Sequence, residues 1–332
     1  MRIIINNFLK IGKTLGLAAC KQRPFMACSA VLSGLLLSGC ASVMSVPGDS
    51  PANSSAPVIQ PAPGDVPAVR RPVHLGLALG GGAARGFAHV GVIQVLEEAG
   101  LHPSHVVGTS AGSLVAALYA SGKSVAELRK AAETMEEAEI TDWMVPLLNR
   151  GALRGEALAK YVNAQVGGRN LEQMKIPLGI VATDLRSGEA ITFRRGNTGS
   201  AVRASSAVPA VFQPVRIGDR EYVDGGLVAP VPVRQARDMG ANFVIAVDIS
   251  SDPEGNPAGD TFQILLQTFS IMGKSINTLA LKDADVVIRP ALSGVKSADF
   301  SARRRSIEAG RVAMLAQLPR LKERLAAFEA GR

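Results

Sequence analysis

The sequence predicts an α/β protein, and three observations predict it. An alternating apolar run, Val73-His74-Leu75-Gly76-Leu77-Ala78-Leu79, passes straight into a glycine-rich loop and then a helical pattern. A second apolar run at Val106 and Val107 ends in Gly108-Thr109-Ser110-Ala111-Gly112, followed by a small-residue helical run from Leu114 to Ala120. Strand-like and helix-like segments keep alternating downstream, as a parallel sheet requires, because each parallel pair needs a crossover. With 332 residues and 47% hydrophobic content the chain can bury a sizeable core. Its scarcity of aromatics, 4%, and its 34 glycines suit close packing of helices on a sheet.

The formal charge of +8 is concentrated at the start of the chain. Arg2, Lys10, Lys13, Lys21 and Arg23 precede residue 40, where no acid occurs; without them 31 basic residues face 28 acidic ones, a balance of +3. The remaining chain has neither a strong basic excess nor aromatic interleaving, which argues against a nucleic-acid partner. Residues 1–39 read as an export signal, a basic stretch followed by an apolar run from Phe25 to Gly39 that is too short and too rich in Ser and Gly to span a bilayer stably. The run ends in Leu37-Ser38-Gly39-Cys40, which resembles the bacterial lipobox. That resemblance implies that Cys40 is acylated and becomes the first residue of a lipid-anchored envelope protein. Ala41 in place of an aspartate resembles cargo sorted to the outer membrane, facing the periplasm. The other cysteines, Cys20 and Cys28, would leave with the signal, so no disulfide is expected. Residues 40–72 carry seven prolines among Ser, Ala and Gly and read as a tether.

The elements follow in order. The loop Gly80-Gly81-Gly82-Ala83-Ala84-Arg85-Gly86 leads to a helix over Phe87 to Ala99. Ser124, with Glu127 three residues on, forms a capping box for the next helix. The segment Asp142-Trp143-Met144-Val145-Pro146 reads as an apolar loop, Gly155 to Val166 as a helix, Pro177 to Thr183 as a strand and Ala190 to Phe193 as an outer strand. Thr198 to Val208 reads as a short helix stopped by Pro209, and Val211 to Tyr222 as a hairpin delivering Asp224-Gly225-Gly226 to a loop. A helix over Val231 to Met239 and a strand over Phe243 to Ala246 come next, with Asp248 capping a loop. Thr261 to Leu281 has apolar residues at helical spacing, and the expectation is that they pack in the core. A strand over Val286 to Ile288 and a helix from Arg303 close the chain. Arg303-Arg304-Arg305 at a helix start is unfavourable for the helix dipole and has no sequence-level explanation.

The chemistry concentrates at Ser110. A strand–turn–helix elbow lifts a serine hydroxyl clear of the sheet, its flanking glycines Gly108 and Gly112 permit the tight backbone, and the new helix presents unpaired N–H groups. The glycine loop, read as a dinucleotide site through Gly80, Gly82 and Gly86, would need an acid at the end of the second strand. None occurs between Glu98 and Glu127, and Ser110 stands there instead. The loop therefore belongs beside the elbow, where an oxyanion hole is required. A Ser–acid–His triad is excluded by chain order, since His74, His89, His102 and His105 all precede Ser110. An acid acting directly as the base is the economical alternative, and Asp224 in its glycine turn is the best placed.

A glycine-rich loop with Arg-Gly, then Gly-x-Ser-x-Gly, then Asp-Gly-Gly, in this order, resembles the patatin-like phospholipases, in particular bacterial members related to neuropathy target esterase. The likeness covers about residues 73–250. It implies a three-layer α/β/α fold with a mainly parallel central sheet. It also implies a Ser110–Asp224 dyad that needs neither metal nor cofactor, with an oxyanion hole from the amides of Gly81, Gly82 and Ala83 supported by Arg85. The remaining motif glycines are Gly80, Gly86, Gly225 and Gly226. Alignment on Arg85-Gly86 puts Ala83 where the family pattern has a third glycine. The expected organisation is a signal at 1–39, lipidated Cys40 and tether at 40–72, a catalytic domain at 73–290 and a helical segment at 291–332. The expected reaction is hydrolysis of acyl esters of phospholipids or lysophospholipids, with the membrane met through Cys40. The alternatives are a general carboxylesterase and a non-catalytic lipid-binding envelope lipoprotein.

Overall fold

The computed structural model describes residues 72–136, 142, 151–254, 259–296 and 299–331. The expected signal 1–39, Cys40, the tether up to residue 71 and the apolar loop 143–146 lie outside them. In chain order the elements are β1 (Leu75–Leu79), α1 (Ala88–Glu98), β2 (His105–Thr109), α2 (Ala111–Ala120), α3 (Val125–Thr134), β3 (Gly151–Leu153), α4 (Glu156–Gln165), β4 (Leu178–Asp184) and β5 (Ala190–Phe193). They continue as α5 (Thr198–Ser205), β6 (Ala210–Phe212), β7 (Val215–Ile217), β8 (Arg220–Asp224), α6 (Val233–Asp238), β9 (Phe243–Val247), α7 (Thr261–Ala280), β10 (Val286–Ile288) and α8 (Arg303–Glu329).

The central sheet has eight strands in the order β10-β9-β1-β2-β4-β8-β7, with β5 also paired to β4. From β10 to β4 every pairing is parallel, whereas β8, β7 and β5 pair antiparallel. The parallel strands are apolar on both faces because both faces are covered. Leu75, Leu77 and Leu79 of β1 join Phe243, Ile245 and Val247 of β9 in a core shared with α1, α2, α3 and α8. The alternate residues Ala78, Val107, Val181, Val244 and Ala246 form a second core under α6. Full burial of side chains such as Leu77 and Ile245 contributes about 1.5–3 kcal/mol each. The result is the three-layer arrangement.

Helix α8 packs its Ile307, Met314, Leu321 and Leu325 into the first core. It crosses α1 through paired glycines: a Cβ on Gly91 would lie 1.9 Å from the Ile307 carbonyl oxygen, and one on Gly310 1.9 Å from that of Ala88. Arg303 at its start has a structural reason. Its Nη1 donates to the Glu133 carbonyl at 2.6 Å and its Nε to the Phe300 carbonyl at 2.8 Å. The cation thus serves the C-terminal end of α3, where positive charge is favourable. At the other end of α3, Ser124 and Glu127 form the expected reciprocal cap.

Three expectations are corrected. Residues 210–212 leave the expected hairpin and pair in parallel with β3, because Pro214 interrupts the run and leaves only β7 and β8 to form the hairpin. The helix expected to reach Val208 ends at Ser205, and residues 206–209 form a turn that carries Ser206 and Val208 to a cavity described below. Helix α7 has the expected span, yet its apolar residues are only partly core: Leu265, Leu266, Phe269 and Ile276 are half-buried, the expected Met272 and Leu279 are 47% and 66% exposed, and Ile264 and Ile271, not expected in the core, are 53% and 51% exposed. Helical spacing reports one apolar face but cannot say whether another element covers it.

Candidate active site

Ser110 sits between β2 and α2 with φ +52° and ψ −123°, a conformation that costs a non-glycine residue on the order of 1–3 kcal/mol. The neighbouring glycines let the elbow form: a Cβ on Gly112 would lie 2.2 Å from the Leu79 carbonyl oxygen, and one on Gly108 2.4 Å from that of Gly112. The backbone is pinned from several directions. Ser110 N–H donates to Ser205 Oγ at 2.8 Å, Ser205 in turn donates to the Val181 carbonyl at 2.5 Å, and Ser113 Oγ donates to the Ser110 carbonyl at 2.6 Å. Thr109 Oγ1 donates to the Ala229 carbonyl at 2.9 Å.

Strand register brings Asp224 to the serine. On β4, Val181 pairs with Thr109 of β2, and the next residue, Ala182, pairs with Asp224 at the end of β8. The first residue beyond β2 therefore falls beside the last residue of β8. Ser110 Oγ donates to Asp224 Oδ2 at 2.7 Å, while Gly226 N–H donates to Oδ1 at 2.6 Å. Thr183 Oγ1 donates to the Asp224 carbonyl at 2.8 Å, and Asp224 N–H donates to that of Ala207 at 3.0 Å. Burial pushes the Asp224 carboxyl up to about 6, against the two hydrogen bonds that favour its ionised form. A carboxyl in that range is a carboxylate at neutral pH and holds a proton more strongly than an ordinary aspartate, which suits a base.

The glycine loop lies against the elbow, with a Cβ on Gly81 falling 3.1 Å from the Ser110 Cβ and one on Gly86 2.8 Å from the Ala111 Cβ. Gly80 N–H donates to the Val247 carbonyl at 3.0 Å and Gly81 N–H to the Pro230 carbonyl at 2.9 Å. Gly81, one of three expected oxyanion donors, thus has its N–H engaged. Among the described residues, the N–H groups of Gly82 and Ala83 make no hydrogen bond. Ala83 takes φ +50°, the left-handed region glycine enters freely, which accounts for a glycine being usual at this place. Arg85 is buried, with its N–H donating to the Gly82 carbonyl at 3.2 Å. Burial lowers its pKa, and the attraction of Asp248 opposes that shift. Among the described residues its Nε has no hydrogen-bond partner.

Of the histidines, none touches Ser110 Oγ or Asp224 among the described contacts. His89 is fully buried and its Nε2 donates to the Gly80 carbonyl at 2.8 Å, so the ring carries its proton there and Nδ1 is bare. Burial pulls its pKa down to about 4. His105 is half-buried beside Ser104, at 3.0 Å. Residue-type reasoning found Ser110, Asp224 and the loop but missed Ser205, Thr183 and the loop-holding part of His89. A serine inside a short helix or a histidine on an apolar face carries no signal that distinguishes such a part.

A cavity of about 250 Å³ opens beside Ser110. Ala83, Gly86, Phe87, Ala111, Leu114 and Leu118 line it on the side of α1 and α2, and Leu128, Ala132, Met135 and Leu158 close it. The lining is almost wholly apolar.

The fold and the site define a class: an α/β protein with a mainly parallel sheet, an elbow serine bonded to a buried aspartate, and a glycine loop beside them. Residues 77–237 match the family model described as Patatin-like phospholipase, and that part of the chain belongs to the family. An NTE family protein of Mycobacterium tuberculosis is 37% identical over 185 residues, 55% of this chain and 51% of that protein. Patatin-like phospholipase domain-containing protein 6 of Mus musculus is 30% identical over 215 residues, 63% of this chain and 16% of that protein. Among solved structures, VipD from Legionella pneumophila superposes with a TM-score of 0.52 at 16% identity, covering 75% of this chain and 67% of that one. The chain spans about half the length of the mycobacterial relative.

Proposed function

We propose that the protein is a serine acyl hydrolase that cleaves acyl esters of phospholipids or lysophospholipids through an acyl-enzyme. The observation that carries this reading is the Ser110 Oγ–Asp224 Oδ2 hydrogen bond of 2.7 Å at the mouth of an apolar cavity. Family membership supports a lipid ester hydrolase, and the cavity supports an acyl chain as the group bound. In the proposed reaction the Asp224 carboxylate takes the Ser110 proton as Oγ attacks the ester carbonyl. The N–H groups of Gly82 and Ala83 are the proposed donors to the oxyanion, because the Gly81 N–H is engaged by Pro230. The tetrahedral intermediate collapses, the C–O bond to the alcohol breaks, and the alcohol leaves with the proton from Asp224. Water then gives a proton to Asp224 and attacks the acyl-serine; release of the fatty acid returns that proton to Ser110. Each step uses one carboxylate and one hydroxyl, with no metal in it.

Acylation of Cys40 after loss of residues 1–39 is the proposed means of holding this site at a bacterial envelope membrane, the outer membrane on its periplasmic side. The reading is tested by fluorophosphonate labelling of the purified protein followed by a panel of phospholipids, lysophospholipids and soluble esters. Labelling at Ser110 with turnover of lipid is expected. Labelling with turnover of soluble esters alone makes it a general carboxylesterase, and absence of both leaves a lipid-binding protein. Cys40→Ala should lose stable membrane association on fractionation; a variant that still sediments with membranes removes the lipobox reading.

A further inference from the structure

We propose that the outward face of α7 seats on the surface of a lipid bilayer and holds the active site against it. This rests on the proposed lipid substrate and anchor. Seven exposed positions of α7 fall along one side at helical spacing: Ile264, Thr268, Ile271, Met272, Ser275, Thr278 and Leu279. None is charged, and across all 20 residues the one charged side chain is Lys274, which pairs with Asp252 at 3.1 Å. A helix side that faces water ordinarily carries its charges there.

The three hydroxyls on this side ask nothing of water. Thr268 donates to the Ile264 carbonyl at 2.9 Å, Ser275 to that of Ile271 at 3.2 Å and Thr278 to that of Lys274 at 2.8 Å. Each is satisfied within the helix, so the face can lose water without stranding a donor. The exposed Ile264, Ile271, Met272 and Leu279 gain from the same transfer. Among the described residues no helix is long and apolar enough to cross a membrane, which leaves α7, about 30 Å long, to lie along a surface.

Two further observations name the bilayer as what it meets. The inward side of α7 rests on loops of the active site. It packs on the turn Gly225–Leu227 next to Asp224, and Asn277 Nδ2 reaches Ser250 Oγ at 3.5 Å. A Cβ on Gly273 would sit 3.7 Å from Pro230, whose carbonyl holds the Gly81 N–H. The helix is therefore beside the chemistry, with the exposed face turned away from these loops. The described chain also begins at residue 72, 32 residues after Cys40. An acylated Cys40 separated from the described domain by so few residues would keep a bilayer within reach of it.

Met272→Trp and, as a control, Lys322→Trp at an exposed position of α8 are prepared in the full chain and compared with the wild type, whose one tryptophan is Trp143. The probe is vesicles of phosphatidylcholine brominated on the acyl chains. A blue shift and quenching specific to Met272→Trp is expected, and quenching no greater than in the control overturns the proposal. A blue shift that instead grows with protein concentration, without quenching, identifies a second copy as the occupant and overturns it too. Replacing Ile264, Ile271, Met272 and Leu279 together by Ser should lower turnover of vesicle lipid about tenfold or more and leave a soluble ester unchanged. Equal turnover of vesicles by that variant overturns the proposal. Quenching without any turnover leaves this inference standing and removes the hydrolase reading instead.

Discussion

Ser110 Oγ lies 2.7 Å from Asp224 Oδ2 although the two residues are 114 apart in the chain, and one strand, β4, aligns both. Deleting the hydroxyl leaves that alignment intact. Ser110→Ala should therefore abolish fluorophosphonate labelling and cut ester turnover by several orders of magnitude with the fold retained. Ser110→Gly should be equally inactive and more stable, by roughly 1 kcal/mol, because glycine adopts φ +52° without strain. Thermal unfolding of the three proteins checks it; a Ser110→Gly protein less stable than Ser110→Ala would show that the elbow stores no strain.

Asp224→Asn keeps the shape and the oxygen that accepts from the Gly226 N–H, but puts an NH2 donor where Oδ2 accepts from Ser110 and removes the base, so turnover should collapse while Ser110 stays in place. In the wild type the rate should fall as pH drops through about 6, where the carboxyl takes up its proton. Stability has the opposite sign. The folded carboxyl titrates above the ordinary 3.8, so the folded state binds this proton more tightly than the unfolded chain does. Its stabilising contribution is complete below the unfolded pKa and is lost as pH rises through about 6. A gap of this size corresponds to about 3 kcal/mol, and Asp224→Asn should recover part of it at pH ~8 and none at pH ~4. Unfolding midpoints of both proteins at the two pH values decide it.

The sequence reveals those features in which residue type and local geometry are tied together. A serine between two glycines, set between an apolar run and a helical run, predicts a tight elbow, and an Asp-Gly-Gly turn after a hairpin offers a carboxylate near the sheet edge. Chain order removes only the Ser–acid–His order, and it takes the structure to show that among the described contacts no histidine touches Ser110 Oγ or Asp224. Features set by distant packing are not legible. The Gly81 amide is taken by Pro230, 149 residues later, and nothing near Gly81 announces it. Strand β6 pairs with β3 because β8 takes β7, a competition between segments that no single window contains. The apolar residues of α7 have the period of a core helix, and only the whole fold reveals that Ile264, Ile271, Met272 and Leu279 stay exposed among the described residues.

His89 holds the Gly80 carbonyl at 2.8 Å, which shares a peptide with the engaged Gly81 N–H and lies one peptide before the free Gly82 amide. His89→Ala should lower kcat about tenfold with KM for a soluble ester little changed, and cost on the order of 1–3 kcal/mol of stability by orphaning that carbonyl. His89→Gln, which can return an N–H, should regain much of the rate. The inflection near pH 6 should persist in both, since burial keeps His89 neutral down to about 4 and the titrating group is Asp224. His105→Ala should be close to wild type. A pH profile that loses its inflection in His89→Gln, with stability unchanged, would put a histidine back into the chemistry.

On the proposed reading the cavity would set a limit on the acyl chain. Ala111, Leu114 and Leu118 line it on successive turns of α2, so it runs about 10 Å from the elbow along that helix. Each methylene moved from water into an apolar site is worth about 0.8 kcal/mol, close to fourfold in kcat/KM, until the cavity is full. Esters of increasing chain length should therefore climb steeply and then level off. Ala132 on α3 is buried and lines the cavity, so Ala132→Phe fills space that a chain would occupy. Turnover of a short-chain ester should be unaffected by Ala132→Phe, because Ser110, Asp224 and the glycine loop are untouched, while the plateau moves to shorter chains and long-chain kcat/KM falls tenfold or more, on the order of two or three lost methylenes. Overpacking alone would lower every substrate together through loss of folded protein, so unfolding is measured alongside. If the chain-length profile of Ala132→Phe superposes on that of the wild type, the acyl group lies elsewhere and this cavity is not its site.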